Sequence, residues 1–436
     1  MMNYEEALAF HEETKQYGSI LGLDTIRNLM YELKDIWKDL QIVHIAGTNG
    51  KGSVCCFLSA VLQEAGYKVG QFNSPAVFDL REVYQINGEM IEKAEYAKCM
   101  SKVEKACKRL VEKGLPHPTV FEVETALGFL WFYQKQCDIV LLETGMGGST
   151  DATNLIEAPL CAVLTSVSMD HMEFLGNTLE EIAEVKAGII KEKSTVISAK
   201  QSKAVEVVFR RMAEKKQASY HQAAEINSYK IEEEKLCYTH PSLGKIQLCM
   251  CGGYQAENSS LAIEVLLALR DKGYAISDEQ IKNGLYKAKW KGRFECICKS
   301  PFFVIDGAHN TDAAYKLRES LLKNYPNTRK IGIMGVMADK PYREMLEILL
   351  PLFDKVYTIK PDNPRALSAK ELAEEINRQK TLGIAAETIE KAVYIACQEC
   401  LDAKEDTIII AFGSLYYLGR VRQIVRDLKI DNLEEI

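Results

Sequence analysis

The segment Gln41-Ile-Val-His-Ile-Ala-Gly-Thr-Asn-Gly-Lys-Gly-Ser-Val54 carries the strongest indication of the fold of this chain. Its apolar first part, Ile42 to Ala46, predicts a short buried strand, and Val54 to Ala65 predicts a helix. Glycines, a lysine and a hydroxyl residue lie between them. A strand, a glycine-rich turn and a helix in this order are typical of a loop that binds phosphate.

The residue types in this loop fit the chemistry of a phosphate group. Glycines let backbone N–H groups close around phosphate oxygens, and the helix N-terminus adds a partial positive charge. Lys51 is predicted to reach the outer phosphates, and the Ser53 hydroxyl to bind Mg²⁺. The common pattern has a glycine in place of Ile45 and a hydroxyl residue in place of Gly52. A plain glycine turn between strand and helix is the alternative.

The loop Gly-Thr-Asn-Gly-Lys-Gly-Ser at 47–53 resembles the nucleotide loop of the folylpolyglutamate synthases and dihydrofolate synthases, within the Mur ligase superfamily. Mur ligases proper look similar but usually carry a second Thr or Ser at the position of Gly52. The resemblance implies that this loop binds ATP. The residues that it assigns to ATP here are Gly47, Thr48, Asn49, Gly50, Lys51, Gly52 and Ser53.

Composition and charge narrow the class of protein. The chain has 436 residues, 47% hydrophobic and 26% charged, as in a soluble protein of two or three domains. The net charge of -7 argues against nucleic acid as a partner, and no apolar run is long enough for a membrane span. The N-terminal residues lack a secretion signal, so we expect a cytoplasmic protein. The 13 cysteines form no Cys-x-x-Cys pair, which argues against a zinc site.

Helix and strand patterns alternate along most of the chain, which predicts an α/β fold with parallel strands. We expect an N-terminal ATPase domain of the P-loop type, with a parallel sheet, at 1–292, and a smaller Rossmann-like domain at 293–436. Only 46 residues precede Gly47, too few for a separate substrate domain ahead of the loop. Glu143 follows a predicted strand, and active sites lie beyond such strand ends, so Glu143 is predicted to bind Mg²⁺.

Three local predictions concern the surroundings of these motifs. The polar segment 79–88 is predicted to be a mobile loop. The one-residue spacing of Cys249 and Cys251 suits alternate positions on one face of a strand. A helix is predicted to begin at Ser259.

The resemblance covers further motifs and implies their roles. His171 lies in a segment, 170–178, that is similar to the family's signature for a second metal ion. Lys186 matches the lysine that the family carbamylates, and a carbamate offers the oxygen ligands that Mg²⁺ prefers. An unmodified surface lysine is the plainer interpretation without the resemblance. Asn258 matches the asparagine that contacts adenine in the superfamily.

The resemblance also reaches the C-terminal part of the chain. Arg293 is similar to the arginine of a Pro-Gly-Arg motif and would neutralise phosphate charge. In 306–310, an acid, a histidine and an amide surround a glycine turn, which suits ribose or phosphate contacts, so Asp306 and His309 are predicted to bind the nucleotide. The residues predicted to be catalytic are Lys51, Lys186 and His309.

Ser74 and Asp151 are the predicted substrate contacts. In the family, a Ser-Pro dipeptide opens the loop that closes over the pterin, although a plain Ser-Pro turn is the alternative. Relatives have Thr-Ser-Pro-His-Leu where this chain has Asn73-Ser-Pro-Ala-Val77. Relatives also have an arginine in place of Ser149, two residues before Asp151. These are the clearest departures from the family pattern.

The resemblance implies an ATP-dependent amide ligase that adds L-glutamate to folates, to dihydropteroate or to both, through an acyl phosphate. ATP and two Mg²⁺ ions are expected, with N6-carboxylysine at Lys186. The expected partners are these small molecules alone, and the expected state is a monomer. Three alternatives stay open: a ligase of the superfamily that acts on a cell-wall precursor, a P-loop NTPase without ligase activity, and a non-catalytic nucleotide-binding module.

Overall fold

The computed structural model describes residues 2–18, 22–379 and 381–428. The chain packs into two compact units. Unit 1 contains the described residues of Met1–Asn227, Thr239–Gln247 and Glu257–Ala288, and unit 2 contains Ser228–Tyr238, Leu248–Ala256 and the described residues from Lys289 onward. The two units are defined by packing alone. The domain boundaries predicted from the sequence, 1–292 and 293–436, stay predictions.

Helices and strands alternate along the chain, as the α/β prediction requires. The helices are α1 (Tyr4–Thr14), α2 (Asp24–Glu32), α3 (Lys51–Glu64), α4 (Lys93–Glu112), α5 (Val120–Gln134), α6 (Met172–Leu175), α7 (Leu179–Ala187), α8 (Lys203–Lys215), α9 (Gln255–Asp271), α10 (Asp278–Lys287), α11 (Thr311–Asn324), α12 (Tyr342–Leu349), α13 (Ala369–Asn377), α14 (Ile389–Asp402) and α15 (Leu418–Asp427). The strands are β1 (Ile42–Ala46), β2 (Val69–Phe72), β3 (Tyr84–Ile86), β4 (Glu89–Met90), β5 (Ile139–Glu143), β6 (Cys161–Leu164), β7 (Thr195–Ser198), β8 (Ser219–Gln222), β9 (Lys230–Glu232), β10 (Lys235–His240), β11 (Gly244–Leu248), β12 (Glu295–Lys299), β13 (Phe302–Ile305), β14 (Arg329–Met334), β15 (Lys355–Thr358), β16 (Leu382–Ala385) and β17 (Thr407–Phe412).

The large sheet of unit 1 has the strand order β4-β3-β2-β5-β1-β6-β7-β8. From β2 to β8 all neighbouring strands are parallel, and β3 and β4 add an antiparallel edge. The central strands β1 and β5 are buried along their whole length, as strands covered on both faces by helices are. The predicted parallel sheet is confirmed.

Helices cover the large sheet of unit 1 with two apolar layers. One core cluster contains buried residues of α1, α2, α4 and α5 together with β5, and another joins β6 and β7 to α7 and α8. The start of α5 is set by a capping box, in which the Thr119 hydroxyl accepts from the Glu122 N–H and the Glu122 carboxylate accepts from the Thr119 N–H. No helix within the described ranges has both the length and the apolar character that a membrane crossing needs.

The large sheet of unit 2 has the strand order β12-β13-β17-β14-β15-β16. Only β12 runs antiparallel to its neighbour. Apolar residues of α11, α12 and α13 pack against this sheet in one core cluster. A parallel sheet with helices between its strands agrees with the Rossmann-like expectation. A smaller three-stranded sheet has the order β11-β10-β9.

Several local predictions were wrong. The segment 79–88, expected to be a mobile loop, contains a 3₁₀ turn at Leu80–Val83 and then β3, which is hydrogen-bonded to β2. Helix α9 begins at Gln255 rather than at Ser259. Cys249 and Cys251 lie beyond the end of β11 and are not part of a strand. A three-residue strand carries too little alternation to be found from its own sequence, since its pairing partner decides its conformation.

Candidate active site

The loop between β1 and α3 is held by the segment that follows β6. The N–H of Thr48 donates to the carbonyl oxygen of Ser166 at 2.8 Å, and Thr48 Oγ1 donates to the carbonyl oxygen of Ser168 at 3.1 Å. Helix α3 begins at Lys51, three residues earlier than predicted, with Gly50 as its N-cap. The N-terminal turn of α3 is therefore part of the loop, and its positive dipole end faces the loop.

Two glycines of this loop adopt backbone conformations that other residues rarely adopt. The φ angle is +155° at Gly47 and +91° at Gly50. A Cβ atom on Gly47 would lie 1.8 Å from Thr165 Oγ1, and one on Gly50 would lie 2.4 Å from Asn258 Oδ1. Both positions therefore require glycine for conformation and for space. The second contact shows that the Asn258 side chain, in the first turn of α9, lies against the loop.

Lys51 and Glu143 lie together at the end of the central strands. Lys51 Nζ donates to the carbonyl oxygens of Gly47 and Thr48, each at 3.3 Å, and lies 3.7 Å from Glu143 Oε1. Glu143 is the last residue of β5 and stands opposite Ile45 of β1. Strand pairing thus places the predicted metal carboxylate beside the predicted phosphate lysine.

The predicted metal ligands differ in their surroundings. Ser53 is buried in the first turn of α3, and its hydroxyl, like the Glu143 carboxylate, is a hard oxygen donor of the kind that Mg²⁺ prefers. The His171 side chain is 45% exposed, and its Nε2 lies 3.9 Å from Asp170 Oδ2. Within the described part of the chain, no three His, Cys, Asp or Glu side chains form a group that could hold a metal ion. Phosphate oxygens and water would have to complete the coordination of Mg²⁺ here.

Lys186 is a buried lysine rather than a surface one. Its side chain lies on α7, the residue is 4% exposed, and its Nζ donates to the carbonyl oxygen of Gly47 at 2.8 Å. Burial, reinforced by repulsion from Lys51, lowers the pKa of the Lys186 ammonium to about 7. A substantial fraction of this amine is therefore neutral at neutral pH.

The end of α7 is fixed to the turn that follows β5. The N–H of Ser149 donates to the carbonyl oxygen of Val185 at 2.8 Å. Asn154 Nδ2 donates to the carbonyl oxygens of Ser149 and Gly188, at 3.1 and 3.2 Å. Asn154 is buried, and its Oδ1 has no hydrogen-bond partner among the described residues. These bonds set the direction from which Lys186 reaches the loop.

Asp151 is bonded within its own turn. Its carboxylate accepts from the Met146 N–H at 2.8 Å, and from the N–H and hydroxyl of Thr153 at 3.0 and 2.6 Å. Because the Thr153 hydroxyl donates its hydrogen bond to Asp151, the hydroxyl oxygen accepts from His44 Nε2–H at 2.9 Å. Burial raises the pKa of Asp151 in spite of these bonds. Ser74, the other predicted substrate contact, is half-buried at the start of the segment 74–83.

A second group of predicted residues lies in unit 2, at the carboxyl end of β13. Asp306 Oδ2 accepts from the Tyr254 hydroxyl at 2.7 Å and from the Phe294 N–H at 2.9 Å. Asp306 Oδ1 accepts from the Ala308 N–H at 2.8 Å. Burial is the largest cause of a raised pKa at both Asp306 and Tyr254. Asp306 therefore holds the glycine turn through its own hydrogen bonds.

Arg293 and His309 lie beside the same glycine turn. A Cβ atom on Gly307 would be 2.1 Å from Arg293 Nη1, so the guanidinium lies against the turn. His309 Nδ1 donates to the carbonyl oxygen of Gly307 at 2.8 Å, which places the proton of the neutral ring on Nδ1. Asn310 caps α11 by accepting from a backbone N–H. The structure thus brings the predicted unit 2 residues Arg293, Asp306 and His309 together.

The sequence analysis did not predict the contacts that Asn73 and Tyr254 make with predicted site residues. Asn73 Nδ2 donates to Glu143 Oε2 at 2.5 Å, and the Tyr254 hydroxyl donates to Asp306. Asn73 directly follows β2, so the rule that places active sites at the carboxyl ends of parallel strands could have found it. No local pattern marks Tyr254, because its contact depends on the tertiary structure.

Two protein-family profiles match the chain. The Mur ligase middle domain matches residues 45–266, and the Mur ligase, glutamate ligase domain matches residues 292–415. Among curated proteins, the chain is 34% identical to the dihydrofolate synthase/folylpolyglutamate synthase of Bacillus subtilis. That alignment covers 96% of this chain and 98% of the relative.

Solved structures are similar over nearly the whole chain. The Mycobacterium tuberculosis folylpolyglutamate synthase complexed with ADP and AMPPCP is 26% identical, with a TM-score of 0.88, covering 99% of this chain and 100% of that one. The E. coli FolC structure in complex with DHPP and ADP is also 26% identical, with a TM-score of 0.86, covering 98% and 100%. The similarity therefore includes both halves of the chain.

Proposed function

This chain belongs to the folylpolyglutamate synthase and dihydrofolate synthase family of the Mur ligases, and we propose from this premise how its residues perform the family's reaction. The enzyme is an ATP-dependent ligase that adds L-glutamate to folates, to dihydropteroate or to both. The terminal phosphate of ATP passes to the substrate carboxylate and gives an acyl phosphate. The amine of glutamate attacks this acyl carbon, and phosphate leaves as the amide forms.

One observation carries the assignment of the phosphate site: Lys51 Nζ lies between the carbonyl oxygens of its own loop and the Glu143 carboxylate. In this position the lysine is held at a helix N-terminus by contacts that phosphate oxygens can replace. Lys51 then balances the negative charge that builds up on the leaving ADP oxygen as the phosphoryl group is transferred. The nearby Asn258 side chain is a candidate contact for the adenosine part of ATP.

The oxygen donors of Ser53 and Glu143 fit Mg²⁺, and these two residues would hold it together with ATP phosphates. When bound, Mg²⁺ neutralises phosphate charge and orients the terminal phosphoryl group for transfer. The exposed ring of His171 is our candidate for a ligand of a second ion.

Lys186 is our candidate for carbamylation. Its neutral amine can form a bond between nitrogen and the carbon of CO₂ and release one proton, and the product is an anion with two oxygens in place of the neutral amine. The lowered pKa supports this, because only the neutral amine reacts. The carbamate would serve as an oxygen donor for Mg²⁺.

Arg293 and His309 would act from the glycine turn of unit 2, which Asp306 holds in shape. The Arg293 guanidinium is suited to phosphate oxygens. His309, with the proton of the neutral ring on Nδ1, would present Nε2 as an acceptor for the glutamate amine proton. In unit 1, Ser74 would contact the pterin-bearing substrate, and Asp151 would shape its site through the turn that it holds. The monomeric state and the cytoplasmic location stay predictions.

A parallel substrate assay tests this proposal. Phosphate release from ATP plus L-glutamate is measured with dihydropteroate, tetrahydrofolate and a UDP-muramyl peptide, with the Lys51→Ala variant as the control. We expect glutamate-dependent release with dihydropteroate, tetrahydrofolate or both, and none with the muramyl peptide. Release that needs no acceptor would indicate an NTPase, and release with the muramyl peptide alone would indicate a cell-wall ligase; either result would overturn the proposal.

A further inference from the structure

The carboxyl ends of β2 and β5 bring two buried polar side chains into contact. These strands are parallel neighbours, with Phe72 opposite Leu142, so Asn73 and Glu143 are the next residues on each. Asn73 Nδ2 donates to Glu143 Oε2 at 2.5 Å. Asn73 is 6% exposed and Glu143 5% exposed, so water competes little for this hydrogen bond.

A third buried side chain sets the orientation of the Asn73 amide. Gln71, two residues earlier on β2, donates its Nε2–H to Asn73 Oδ1. The Asn73 oxygen is thereby engaged as an acceptor, and its nitrogen is directed at Glu143. If the amide were flipped, its oxygen would face the carboxylate, and two acceptors would repel each other. In this hydrogen-bonded row, Gln71 therefore donates to Asn73, and Asn73 donates to Glu143.

This row limits how the Glu143 carboxylate can turn. Oε2 is held by Asn73, and Oε1 lies 3.7 Å from Lys51 Nζ. A carboxylate that binds a metal is usually held in this way by a neighbouring donor, and loss of the donor weakens metal binding. A shorter donor at this position, such as a serine hydroxyl, would stand one atom closer to the backbone than the Asn73 amide nitrogen does.

Asn73 also begins the segment that contains Ser74. Its N–H donates to the carbonyl oxygen of Val83 at 3.2 Å, which closes the segment 74–83 at its base. Within that segment, Glu82 Oε2 accepts from the N–H groups of Val77 and Phe78, at 3.2 and 3.0 Å. One residue thus contacts both the candidate metal carboxylate and the base of the candidate substrate loop.

We propose that Asn73 is a positioning residue, which fixes the Glu143 carboxylate for Mg²⁺ and connects it to the segment 74–83. This inference rests on the proposed function in one respect, namely that Glu143 binds the metal. The hydrogen bonds that join Gln71, Asn73 and Glu143 do not depend on that assignment.

Metal affinity of the full chain tests the proposal, with Mn²⁺ as a probe measured by electron paramagnetic resonance in the presence of ADP. Asn73→Leu keeps the branched shape with larger methyl groups but has no donor, and Asn73→Ser has only a shorter donor and is a change that the fold tolerates more easily. We expect both to weaken Mn²⁺ binding about tenfold. ADP affinity without metal should stay within about twofold of the original protein. Gln63→Leu, which removes an amide that donates to Ser59 within α3, should leave the Mn²⁺ affinity unchanged.

The Glu143→Ala variant distinguishes the role of Asn73 from the metal binding of Glu143 itself. If Glu143→Ala weakens Mn²⁺ binding but neither Asn73 variant does, the positioning role is overturned and the proposed function stands. If Glu143→Ala leaves Mn²⁺ binding unchanged, the metal assignment in the proposed function fails, and the role of Asn73 fails with it. In the steady state, Asn73→Ser should raise the KM for Mg²⁺ several-fold while the KM for glutamate stays constant, which a general loss of folded protein would not produce.

Discussion

Lys186 Nζ donates to the carbonyl oxygen of Gly47 at 2.8 Å, although 139 residues separate the two in the chain. The contact joins the end of α7 to the first residue of the predicted phosphate loop. The amine is buried there beside a second amine, that of Lys51, and both effects favour its neutral form. This arrangement underlies the first two predictions.

Lys186→Ala should lower kcat by about 10²-fold or more, since the proposed oxygen donor for Mg²⁺, the ion that neutralises phosphate charge, is lost. A small added carboxylic acid should restore part of the activity by occupying the vacated space. Activity of the original protein should fall when CO₂ and bicarbonate are removed. Lys191→Ala is the matched control, because it removes a second, half-buried lysine. Burial lowers the pKa of Lys191 to about 8, and its Nζ donates to the Asn154 carbonyl oxygen. Electron density that ends at a bare amine on Lys186 while ATP and Mg²⁺ are bound would contradict the carbamate.

Lys186→Met should change how the free energy of unfolding depends on pH in the absence of metal and bicarbonate. The folded-state pKa of Lys186 is about 7, against 10.5 for the ordinary group. Between these values the unfolded chain binds more protons than the folded chain, so Lys186 makes stability rise with pH, by at most about 1.4 kcal/mol per pH unit. The variant should therefore be the more stable protein near pH 7, and its advantage should shrink toward pH 10. Urea unfolding of both proteins at several pH values measures this. The same pH dependence of the free energy of unfolding in both proteins would contradict the lowered pKa of Lys186.

Gly50→Ala should destabilise the protein more than Gly66→Ala, although both glycines have nearly the same backbone conformation. The φ angles are +91° and +89°, but a Cβ atom on Gly50 would meet Asn258 Oδ1 at 2.4 Å, whereas one on Gly66 would meet nothing within 4 Å. Gly66→Ala should cost about 1–2 kcal/mol from backbone strain alone. Gly50→Ala should cost about 1–3 kcal/mol more through overpacking. Equal losses of stability in the two variants, measured by thermal unfolding, would show that the Asn258 side chain does not restrict the space at residue 50.

Lys51→Ala should nearly abolish ligation and leave the fold intact. The lysine contributes charge rather than apolar packing, so we expect kcat to fall by about 10²–10³-fold with little change in thermal stability. Lys108→Ala, which removes an exposed lysine paired with Glu104, is the control and should have normal turnover. Near-normal turnover of Lys51→Ala would show that this loop is not the site of phosphoryl transfer.

Some of the site could be predicted from local sequence alone. The run from Ile42 to Ser53 combines an apolar strand, glycines and a lysine within a dozen residues, and the structure has the strand and helix there, with α3 starting three residues early. Glu143 was identifiable as the residue that follows an apolar strand, and in the structure it is the last residue of β5. The short strand β3 was not, because its conformation depends on pairing with β2.

Most of the elements and the residues near their ends are thus readable from local sequence, because apolar periodicity, glycine turns and helix caps act over a few neighbouring residues. Which of those ends meet depends on the tertiary structure. The order of strands β2, β5 and β1 brings Asn73 to Glu143 and Glu143 to Lys51. The docking of α7 brings Lys186 to Gly47. These contacts join residues that are far apart in the chain, and they depend on sheet order and helix packing, which no local pattern encodes.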